Sequence, residues 1–338
     1  EKGYDVWGIL KRNSVAENQT ARIPDKVFKK LNLEYADMTD MSSLLRVLKL
    51  CNPDEIYNLA AQSHVKISFD QPIYTTESIA IGTLNLLESM RIICPDAKFY
   101  QASSSEMFGN NIDEDGYQRE TTPMSPVSPY GCAKVYGYNI CRNYRNAYNM
   151  FISNGILFNH ESPRRGTNFV TNKVVKEAVK IKLGLSNNLN LGNMDASRDW
   201  GHAKDYVEAM WLILQHKEPD DFVCSTGISH TVKDLVEYVF NKLDLDWKQY
   251  VGIDKKYYRS EELKFLKGDC SKARNLLDWK HKYTFETMLD EMIELYEQRK
   301  KYWKGIELDL HCIQFQLCEF DKYERVRLGE GRPRSKYH

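Results

Sequence analysis

Tyr130 and Lys134 form a Tyr-x-x-x-Lys pair whose residue types can move a proton. Residues at this spacing lie on one face of an α-helix, so the Lys134 ammonium can act on the Tyr130 phenol. A nearby positive charge lowers a phenol pKa, which predicts that Tyr130 accepts protons near neutral pH. Ser128-Pro129, directly before the pair, is typical of a helix start. Two other pairs match the spacing, in amphipathic runs typical of packed helices: Tyr238/Lys242 and Tyr296/Lys300.

A hydroxyl-rich run that ends in a carboxylate lies upstream of this pair. Ser103-Ser104-Ser105-Glu106 follows a predicted strand over residues 98–102, so the run begins where that strand ends. The Ser104 hydroxyl can bond to a substrate oxygen, and the Glu106 carboxylate can accept a proton. From its position alone, Glu106 also fits a structural carboxylate at a helix start or in a loop.

The apolar pattern alternates strand-like and helical runs, which predicts an α/β fold. The predicted strands cover residues 4–10, 31–36, 55–60, 98–102 and 152–158, and the predicted helices cover 40–51, 76–93 and 128–148. Such alternation gives a parallel sheet covered on both faces, a Rossmann-like doubly wound arrangement. Ligands of such sheets bind outside the carboxyl ends of the strands. Candidates at these ends are Lys11, Asp37, Ala60, Ser104 and Asn159.

Composition and charge exclude several classes of protein. The 338 residues include 47 Lys and Arg and 47 Asp and Glu, so no net charge attracts nucleic acid or an anionic membrane. The apolar runs are too short to span a bilayer, and the first residues lack a secretion-signal pattern. The 8 cysteines include no Cys-x-x-Cys pair, so neither a metal site nor a disulfide framework is indicated. These properties predict a reduced cytoplasmic enzyme without a nucleic-acid or membrane partner.

Five segments give the chain a resemblance to a known family. They are LAAQSHVK (59–66), YQAS (100–103), SPYG (128–131), LFNHESPRRG (157–166) and RDWGHAKDY (198–206). In these segments the chain resembles the GDP-mannose 4,6-dehydratases, which are extended short-chain dehydrogenase/reductases. The resemblance extends from Glu1 to about Trp303, and the run over 159–166 favours this family over others of the superfamily.

The resemblance implies dehydration of GDP-mannose to GDP-4-dehydro-6-deoxy-mannose, with internal hydride transfer from C4 to C6 through bound NADP. In this scheme Tyr130, assisted by Lys134, takes the C4 hydroxyl proton, and Glu106 removes the C5 proton. Ser104 stands where the family commonly has threonine and bonds to the C4 oxygen or assists loss of the C6 hydroxyl. A homodimer or homotetramer is also implied. Two alternatives stay open: a catalytically impaired remnant that binds nucleotide-sugar or partner subunits, and another nucleotide-sugar epimerase or dehydratase.

The implied NADP site begins at Lys11-Arg12, after the first predicted strand. Cationic side chains there suit the NADP 2′-phosphate, although a solvated basic pair fits the position equally well. Asp37 suits the adenine amino group or a turn. By resemblance, the cofactor-binding residues are Lys11, Arg12, Asn13, Ser14, Asp37, Met38, Leu59, Ala60, Ala61, Gln62, Ser63, Tyr74, Tyr130, Lys134, His160 and Arg165. The implied substrate-binding residues are Asn159, Lys173, Arg198, Arg259 and Glu262.

Beyond residue 158 the pattern loosens, with predicted helices over 168–183, 202–216, 231–243 and 284–300. With the resemblance, this predicts a smaller, discontinuous α+β part that binds substrate. The expected division is an NADP-binding domain over 1–165 and a mostly substrate-binding domain over 166–303, with segments that return to the first domain. Residues 304–338 form an atypical tail without a family counterpart.

The resemblance also implies a strand and a Gly-x-x-Gly-x-x-Gly turn ahead of Glu1, where a helix N-terminus would receive the cofactor pyrophosphate. The sequence contains neither. That strand is central in the family's order, so two strands are expected to lack a neighbour. We therefore expect residues 1–338 to bind NADP weakly and show little dehydratase activity unless a family N-terminal segment is fused ahead of Glu1.

Overall fold

A computed structural model describes residues 2–12, 23–258 and 261–298 of the chain. The strands are β1 (Trp7–Leu10), β2 (Asn32–Tyr35), β3 (Glu55–Asn58), β4 (Lys98–Ser104), β5 (Ile152–Leu157), β6 (Asn159–Glu161), β7 (Leu189–Leu191), β8 (Ser197–His202), β9 (Asp221–Cys224), β10 (Ser229–Thr231) and β11 (Val251–Ile253). The helices are α1 (Asp25–Phe28), α2 (Met41–Cys51), α3 (Val65–Asp70), α4 (Pro72–Thr76), α5 (Gly82–Ile93), α6 (Pro129–Tyr148), α7 (Val170–Lys182), α8 (Ala203–Gln215), α9 (Val232–Lys242), α10 (Ser271–Leu277) and α11 (Phe285–Gln298).

The main sheet is parallel and has the strand order β3-β4-β5-β9. Apolar residues of successive strand positions face opposite sides, so Phe99 packs with α2, α5 and α6 while Tyr100 packs with α8 and α10. Strand β5 is buried along its whole length, as expected for a strand covered on both faces. The predicted α/β arrangement is therefore confirmed.

Strands β1 and β2 form a separate parallel pair. Within the described residues, β1 is hydrogen-bonded only to β2, and β3 only to β4. Side-chain contacts nevertheless hold the pair beside β3 and α4: Tyr4 Oη donates to Glu55 Oε1 at 3.2 Å, and Lys11 Nζ donates to Tyr74 Oη at 3.1 Å. Among these residues the sheet is thus interrupted between β1 and β3, where the sequence predicted two strands without a neighbour.

A second core lies among α7, α9 and α11, and its buried residues include Val175, Val236 and Met288. Strands β6, β8 and β10 form a small mixed sheet beside it, and β7 pairs in parallel with β11. Helix α8, which packs on the main sheet, and strand β9, which belongs to that sheet, both lie later in the chain than residue 166. The division of the chain at residue 165 stays a prediction.

One predicted helix begins earlier than expected. Helix α4 leads through a π-helical turn at Glu77–Ile81 into α5, whereas the sequence predicted a start at residue 76. Pro72 is the first residue of α4, a position where proline costs no helical hydrogen bond. Tyr74, one of the predicted cofactor residues, therefore lies on a helix.

Candidate active site

Helix α6 carries Tyr130 and Lys134 on its buried face. The Ser128 hydroxyl caps the helix by accepting a hydrogen bond from the Gly131 N–H at 3.0 Å, and Pro129 occupies the first turn. Both side chains of the pair are less than a tenth exposed. In the other two matching pairs, Tyr238 and Lys242 both bind Asp290 and Tyr296 lies in the α11 core, whereas Lys300 lies outside the described residues.

Strand β4 ends at Ser104 and runs into a 3₁₀ turn, Ser105–Phe108, that holds Glu106. The Ser104 Oγ accepts a hydrogen bond from the Glu106 N–H at 3.2 Å and lies near enough to the Tyr130 hydroxyl to lower the Tyr130 pKa. Gly131 permits the close packing of α6 on this turn, since a Cβ there would lie 2.9 Å from the Glu106 carbonyl oxygen. The four predicted catalytic residues are therefore brought together at the carboxyl end of β4.

The electrostatics of the pair differ from the sequence-based expectation. Burial raises the pKa of Tyr130 to about 12, the hydrogen bond from Ser104 and the charge of Arg165 lower it, and the Glu106 charge raises it further. The Lys134 ammonium does not lie on the phenol oxygen: its Nζ donates to the Ala102 carbonyl at 2.6 Å and lies 5.7 Å from the Tyr130 ring centre. The expected lowering of the phenol pKa is thus wrong for this arrangement, because burial has the largest effect and raises the pKa.

Replacement of Lys134 by methionine is expected to raise the free energy of unfolding at pH 7. Burial lowers the pKa of Lys134 from 10.5 to about 8, so the folded state binds this proton less tightly than the unfolded state and stability rises with pH between these values. The variant no longer has to bury a charge, which stabilises it by at most about 3 kcal/mol. It also loses the hydrogen bond to Ala102, which destabilises it by about 1 kcal/mol. Urea denaturation should therefore show a gain at pH 7 that shrinks at pH 10.

Lys242→Met is the matched control for this measurement. Lys242 is half exposed and pairs with Asp290 at 3.0 Å. Exposed ion pairs contribute less than about 1 kcal/mol, so this variant should differ little from the wild type at either pH. A Lys134→Met variant that is less stable than the wild type at pH 7 would contradict the cost assigned to the buried ammonium.

The predicted nucleotide end of the site lies at the carboxyl ends of β1 and β2. Lys11 Nζ lies 3.1 Å from Asp37 Oδ2 and 3.1 Å from the Tyr74 hydroxyl oxygen, so these three predicted residues are in contact. Asp37 also forms a turn, because its Oδ1 accepts hydrogen bonds from the Thr39 N–H and hydroxyl at 2.9 and 2.8 Å. The turn interpretation of Asp37 is therefore confirmed, and its contact with the adenine amino group stays a prediction. Arg12 is exposed, while Asn13 and Ser14 lie outside the described residues.

The segment after β3 combines an open surface with internal bonds. Leu59, Ala60 and Ser63 are exposed and Ala61 is partly exposed, which suits the predicted approach of a cofactor. The Gln62 side chain is engaged within the protein: its Oε1 accepts from the His64 N–H at 2.7 Å, and its Nε2 donates to the Thr75 hydroxyl at 3.2 Å. Gln62 therefore shapes the loop.

Met38 packs tightly at the start of α5, since a Cβ on Gly82 would lie 2.7 Å from the Met38 Cβ. The Met38 carbonyl accepts a hydrogen bond from Asn85 Nδ2 at 2.9 Å. These contacts fix the loop after β2 on α5. They give Met38 a packing role whether or not it also contacts a cofactor.

His160 and Arg165 flank the Tyr130 hydroxyl region from the other side. The His160 Nδ1–H donates to the Phe158 carbonyl at 2.8 Å, and the ring stacks on Tyr206 with a centroid distance of 4.9 Å. Burial lowers the pKa of His160 to about 4, so the ring is neutral at pH 7. Arg165 is paired with the buried Glu161 at 2.9 Å, and its charge acts on both Tyr130 and His160.

Three of the predicted substrate residues, Arg198, Glu262 and Lys173, form contacts within the protein. Arg198, on β8, is mostly buried; its Nη1 donates to the Leu263 carbonyl at 3.0 Å and its Nη2 donates to Glu262 Oε1 at 3.3 Å. Lys173 Nζ donates to the Asn190 carbonyl and lies 3.6 Å from the Tyr257 ring centre.

Asn159 begins β6 beside Trp200 of β8, and Arg259 lies outside the described residues. Sequence analysis did not identify Tyr257. It stands two positions before Arg259, but only the folded chain shows it stacked against Lys173.

The part of the chain that the structure describes lacks two kinds of feature. No helix there is long and apolar enough to cross a membrane. Those residues also contain no cluster of three or more His, Cys, Asp or Glu placed to hold a metal ion.

Comparison with known sequences gives one consistent match. A family model described as GDP-mannose 4,6 dehydratase matches residues 1–292. GDP-mannose 4,6 dehydratase 1 of Arabidopsis thaliana is 50% identical over 313 residues, which cover 89% of this chain and 86% of that protein. GDP-mannose 4,6 dehydratase of Homo sapiens is 47% identical over 321 residues, covering 87% of this chain and 85% of that protein.

Comparison with solved structures agrees on the fold. RMD from Pseudomonas aeruginosa complexed with NADPH has a TM-score of 0.72 and 23% identity, and the match covers 80% of this chain and 91% of that one. The dTDP-glucose 4,6-dehydratase of Bacillus anthracis in complex with NAD has a TM-score of 0.75 and 23% identity, with 90% and 92% covered. These likenesses confirm the predicted Rossmann-like fold.

Proposed function

The chain belongs to the GDP-mannose 4,6-dehydratase family, and on that premise we propose that it dehydrates GDP-mannose to GDP-4-dehydro-6-deoxy-mannose with bound NADP. The observation that carries the proposal is the convergence of the Ser104 and Tyr130 hydroxyls with the Glu106 carboxylate at the carboxyl end of β4. Dehydration needs a group that takes a proton from a hydroxyl and a second base that takes one from carbon. Both kinds of group are present within one small site.

The described residues fit two parts of an NADP molecule. Lys11 offers a half-exposed cation for the 2′-phosphate, and Leu59 and Ala60 leave an open surface at the end of β3. Tyr130 and Lys134 suit the side of the cofactor where hydride moves. When bound, NADP supplies the hydride acceptor for C4 and the hydride donor for C6. A Gly-rich turn for the pyrophosphate is not found among the described residues, so the expectation of weak NADP binding stays a prediction.

In the oxidation step, Tyr130 takes the proton of the C4 hydroxyl. Only the phenolate form of Tyr130 can take that proton, and because the pKa is raised to about 12, this form is a minor one at pH 7. Ser104 acts on the Tyr130 hydroxyl and orients it toward the C4 oxygen of the sugar. Lys134 is mostly charged at pH 7, and its bond to the Ala102 carbonyl fixes this positive charge behind the phenol.

In the elimination step, Glu106 removes the C5 proton, which the C4 ketone has made acidic, and the protonated Glu106 then gives that proton to the C6 hydroxyl, which leaves as water. The carboxylate is buried, and its turn is anchored by the bond between its N–H and Ser104. A base held on a short 3₁₀ turn has little freedom to move away from C5. An epimerase has no such elimination to catalyse, so Glu106 supports dehydratase chemistry over epimerisation.

The GDP-sugar is held by Asn159, Lys173, Arg198, Arg259 and Glu262. Arginine suits the diphosphate oxygens, and a carboxylate suits ribose hydroxyls or guanine N–H groups. Support comes from the contact between Arg198 and Glu262, which places a cation and an anion side by side. Residence in the cytoplasm and assembly into a homodimer or homotetramer stay predictions.

A second candidate is a chain that binds nucleotide-sugar with little turnover. It is favoured by one observation, the interruption between β1 and β3 in the described residues, because a cofactor pyrophosphate binds near the centre of such a sheet. The two candidates differ in a single assay. Purified protein is incubated with NADP and GDP-mannose, and the product is analysed by NMR and mass spectrometry.

Loss of one water with appearance of a C6 methyl group is the expected result. Calorimetric binding of GDP-mannose without that product would favour the second candidate. A product that retains the C6 hydroxyl and differs only in ring stereochemistry would favour an epimerase.

Ser104→Ala is expected to lower kcat about tenfold, since it removes one hydrogen bond of about 1.5 kcal/mol from the reacting hydroxyl. Ser104→Thr keeps the hydroxyl and should stay within about threefold of the wild type. Steady-state kinetics with GDP-mannose compare the two variants. An equal loss in both would mean that the hydroxyl is not what Ser104 contributes.

A further inference from the structure

Asp199 carries a fully buried carboxylate next to Arg198 on β8. Its Oδ1 accepts hydrogen bonds from the Thr226 N–H at 2.9 Å and the Thr226 hydroxyl at 2.7 Å. Its Oδ2 accepts from the Gly227 N–H at 2.9 Å and the Gly268 N–H at 3.3 Å. Within the described residues, neutral donors alone meet this charge. Both oxygens must therefore act as acceptors, a requirement that a carboxylate meets and an amide does not.

The donors come from segments far apart in sequence. Thr226 and Gly227 form the turn between β9 and β10, and Gly268 ends the segment that begins with Glu262 and Leu263. Asp199 itself lies on β8, so one side chain joins β8 to these two segments. Gly227 has a φ of 82°, which glycine adopts without strain, and its N–H can therefore turn toward the carboxylate.

The 262–268 segment also contacts the Arg198 guanidinium. Arg198 Nη1 donates to the Leu263 carbonyl at 3.0 Å, and its Nη2 donates to Glu262 at 3.3 Å. Strand β10 pairs with β8 in a register that sets Ser229 opposite Asp199. The Asp199 carboxylate thus lies behind the cation and anion assigned to the GDP-sugar and ties together the backbone that carries them.

We propose that Asp199 is a positioning residue for the nucleotide-sugar, which sets Arg198 and Glu262 by holding the β9–β10 turn and the 262–268 segment against β8. This rests on the proposed function, because it assigns those two residues to GDP-mannose. An apolar residue of similar size at position 199 would avoid the free-energy cost of burying a charge. The acceptor pair at Asp199 instead fixes three backbone N–H groups at once, and so fixes the distance between two segments.

The test compares Asp199→Asn with Asp205→Asn. The amide turns one acceptor into a donor that faces backbone N–H groups, so the turn and the 262–268 segment should separate. We expect the KM for GDP-mannose and the calorimetric Kd for GDP to rise about tenfold or more, with kcat within about threefold. Tyr130 and Glu106 lie on α6 and the β4 turn, which Asp199 does not touch, so the chemical step should be spared.

Asp205 is the matched control because it is equally buried and accepts a hydrogen bond from the Tyr283 N–H at 3.1 Å, away from both segments. Its variant should lose stability and keep the KM. Thr226→Val, which removes the hydroxyl that donates to Asp199 and accepts from the Ile228 N–H, is the milder variant if Asp199→Asn fails to fold, and it should raise the KM about threefold.

Unchanged GDP affinity in Asp199→Asn, or an equal rise in KM in Asp205→Asn, would overturn the assignment. If Asp199→Asn does not fold, an unchanged KM in Thr226→Val would overturn it. Wild-type protein that binds GDP-mannose without converting it would overturn the proposed function alone, because the affinity comparison would still decide the role of Asp199. Wild-type protein that does not bind GDP-mannose would overturn both.

Discussion

Tyr130→Phe abolishes turnover of GDP-mannose and leaves its binding close to that of the wild type. The substitution removes only the hydroxyl that takes the C4 proton, and the phenyl ring keeps the packing of Tyr130 against Ile79, Ala80 and Ala133. General base catalysis contributes roughly 10²–10⁴-fold, and no other hydroxyl on α6 faces Ser104 in the described site. A product assay and calorimetry with GDP-mannose, made on the same preparation, measure the two quantities separately.

Tyr238→Phe is the matched control, because Tyr238 belongs to a pair with the same spacing. Its hydroxyl donates to Asp290 at 2.8 Å and is far in sequence from the β4 turn. This variant should lose a little stability and keep its turnover. Appreciable turnover in Tyr130→Phe would remove the tyrosine from its assigned role, whereas loss of turnover in both variants would point to damaged folding.

The main elements of the fold were predictable because apolar periodicity is a local property of the sequence. The pattern placed the helix over 128–148 within one residue of α6, and it placed β4 and β5 correctly at their starts. Asp40, the first residue of the predicted helix over 40–51, caps α2, since its side chain accepts from the Ser42 and Ser43 N–H groups. Burial of one face determines such patterns, whatever the rest of the chain does.

The electrostatics of the site could not be obtained in this way. Burial of the Tyr130 phenol depends on residues from several elements, and the sequence does not show how much water they exclude. The expectation for Tyr130 considered the charge of Lys134 and omitted desolvation, which proves to be the larger effect on the phenol pKa. A site predicted from spacing alone will tend to repeat this error, since spacing contains no information on burial.

Contacts between particular side chains could not be predicted from the sequence either. Arg198 and Glu262 were both assigned to the substrate. Only the packed chain shows that they contact each other and that Arg198 also donates to the Leu263 carbonyl. Gln62 was assigned to the cofactor, while its side chain is bonded to His64 and Thr75. In each case the partner is fixed by the tertiary fold or by a loop conformation that has no periodic signature.

Glu106→Gln is expected to stop elimination while oxidation at C4 continues. The amide has the same shape as the carboxylate and keeps the N–H bond to Ser104, so the β4 turn should be preserved. An amide cannot accept the C5 proton at neutral pH, so kcat should fall by about 10²–10⁴-fold, the usual contribution of a general base. In deuterated water the wild type should exchange the C5 hydrogen, and the variant should show little exchange with some 4-keto sugar retained.

The control for this experiment is Glu120→Gln, since Glu120 is also a largely buried glutamate. Its Oε1 accepts a hydrogen bond from the Val223 N–H at 2.7 Å, and burial raises its pKa. Loss of its charge should leave C5 exchange unchanged. If Glu106→Gln incorporated deuterium at C5 as fast as the wild type, another group would have to be the base. If it accumulated neither product nor 4-keto sugar, Glu106 would instead be required for oxidation, and its assigned place in the sequence of steps would be wrong.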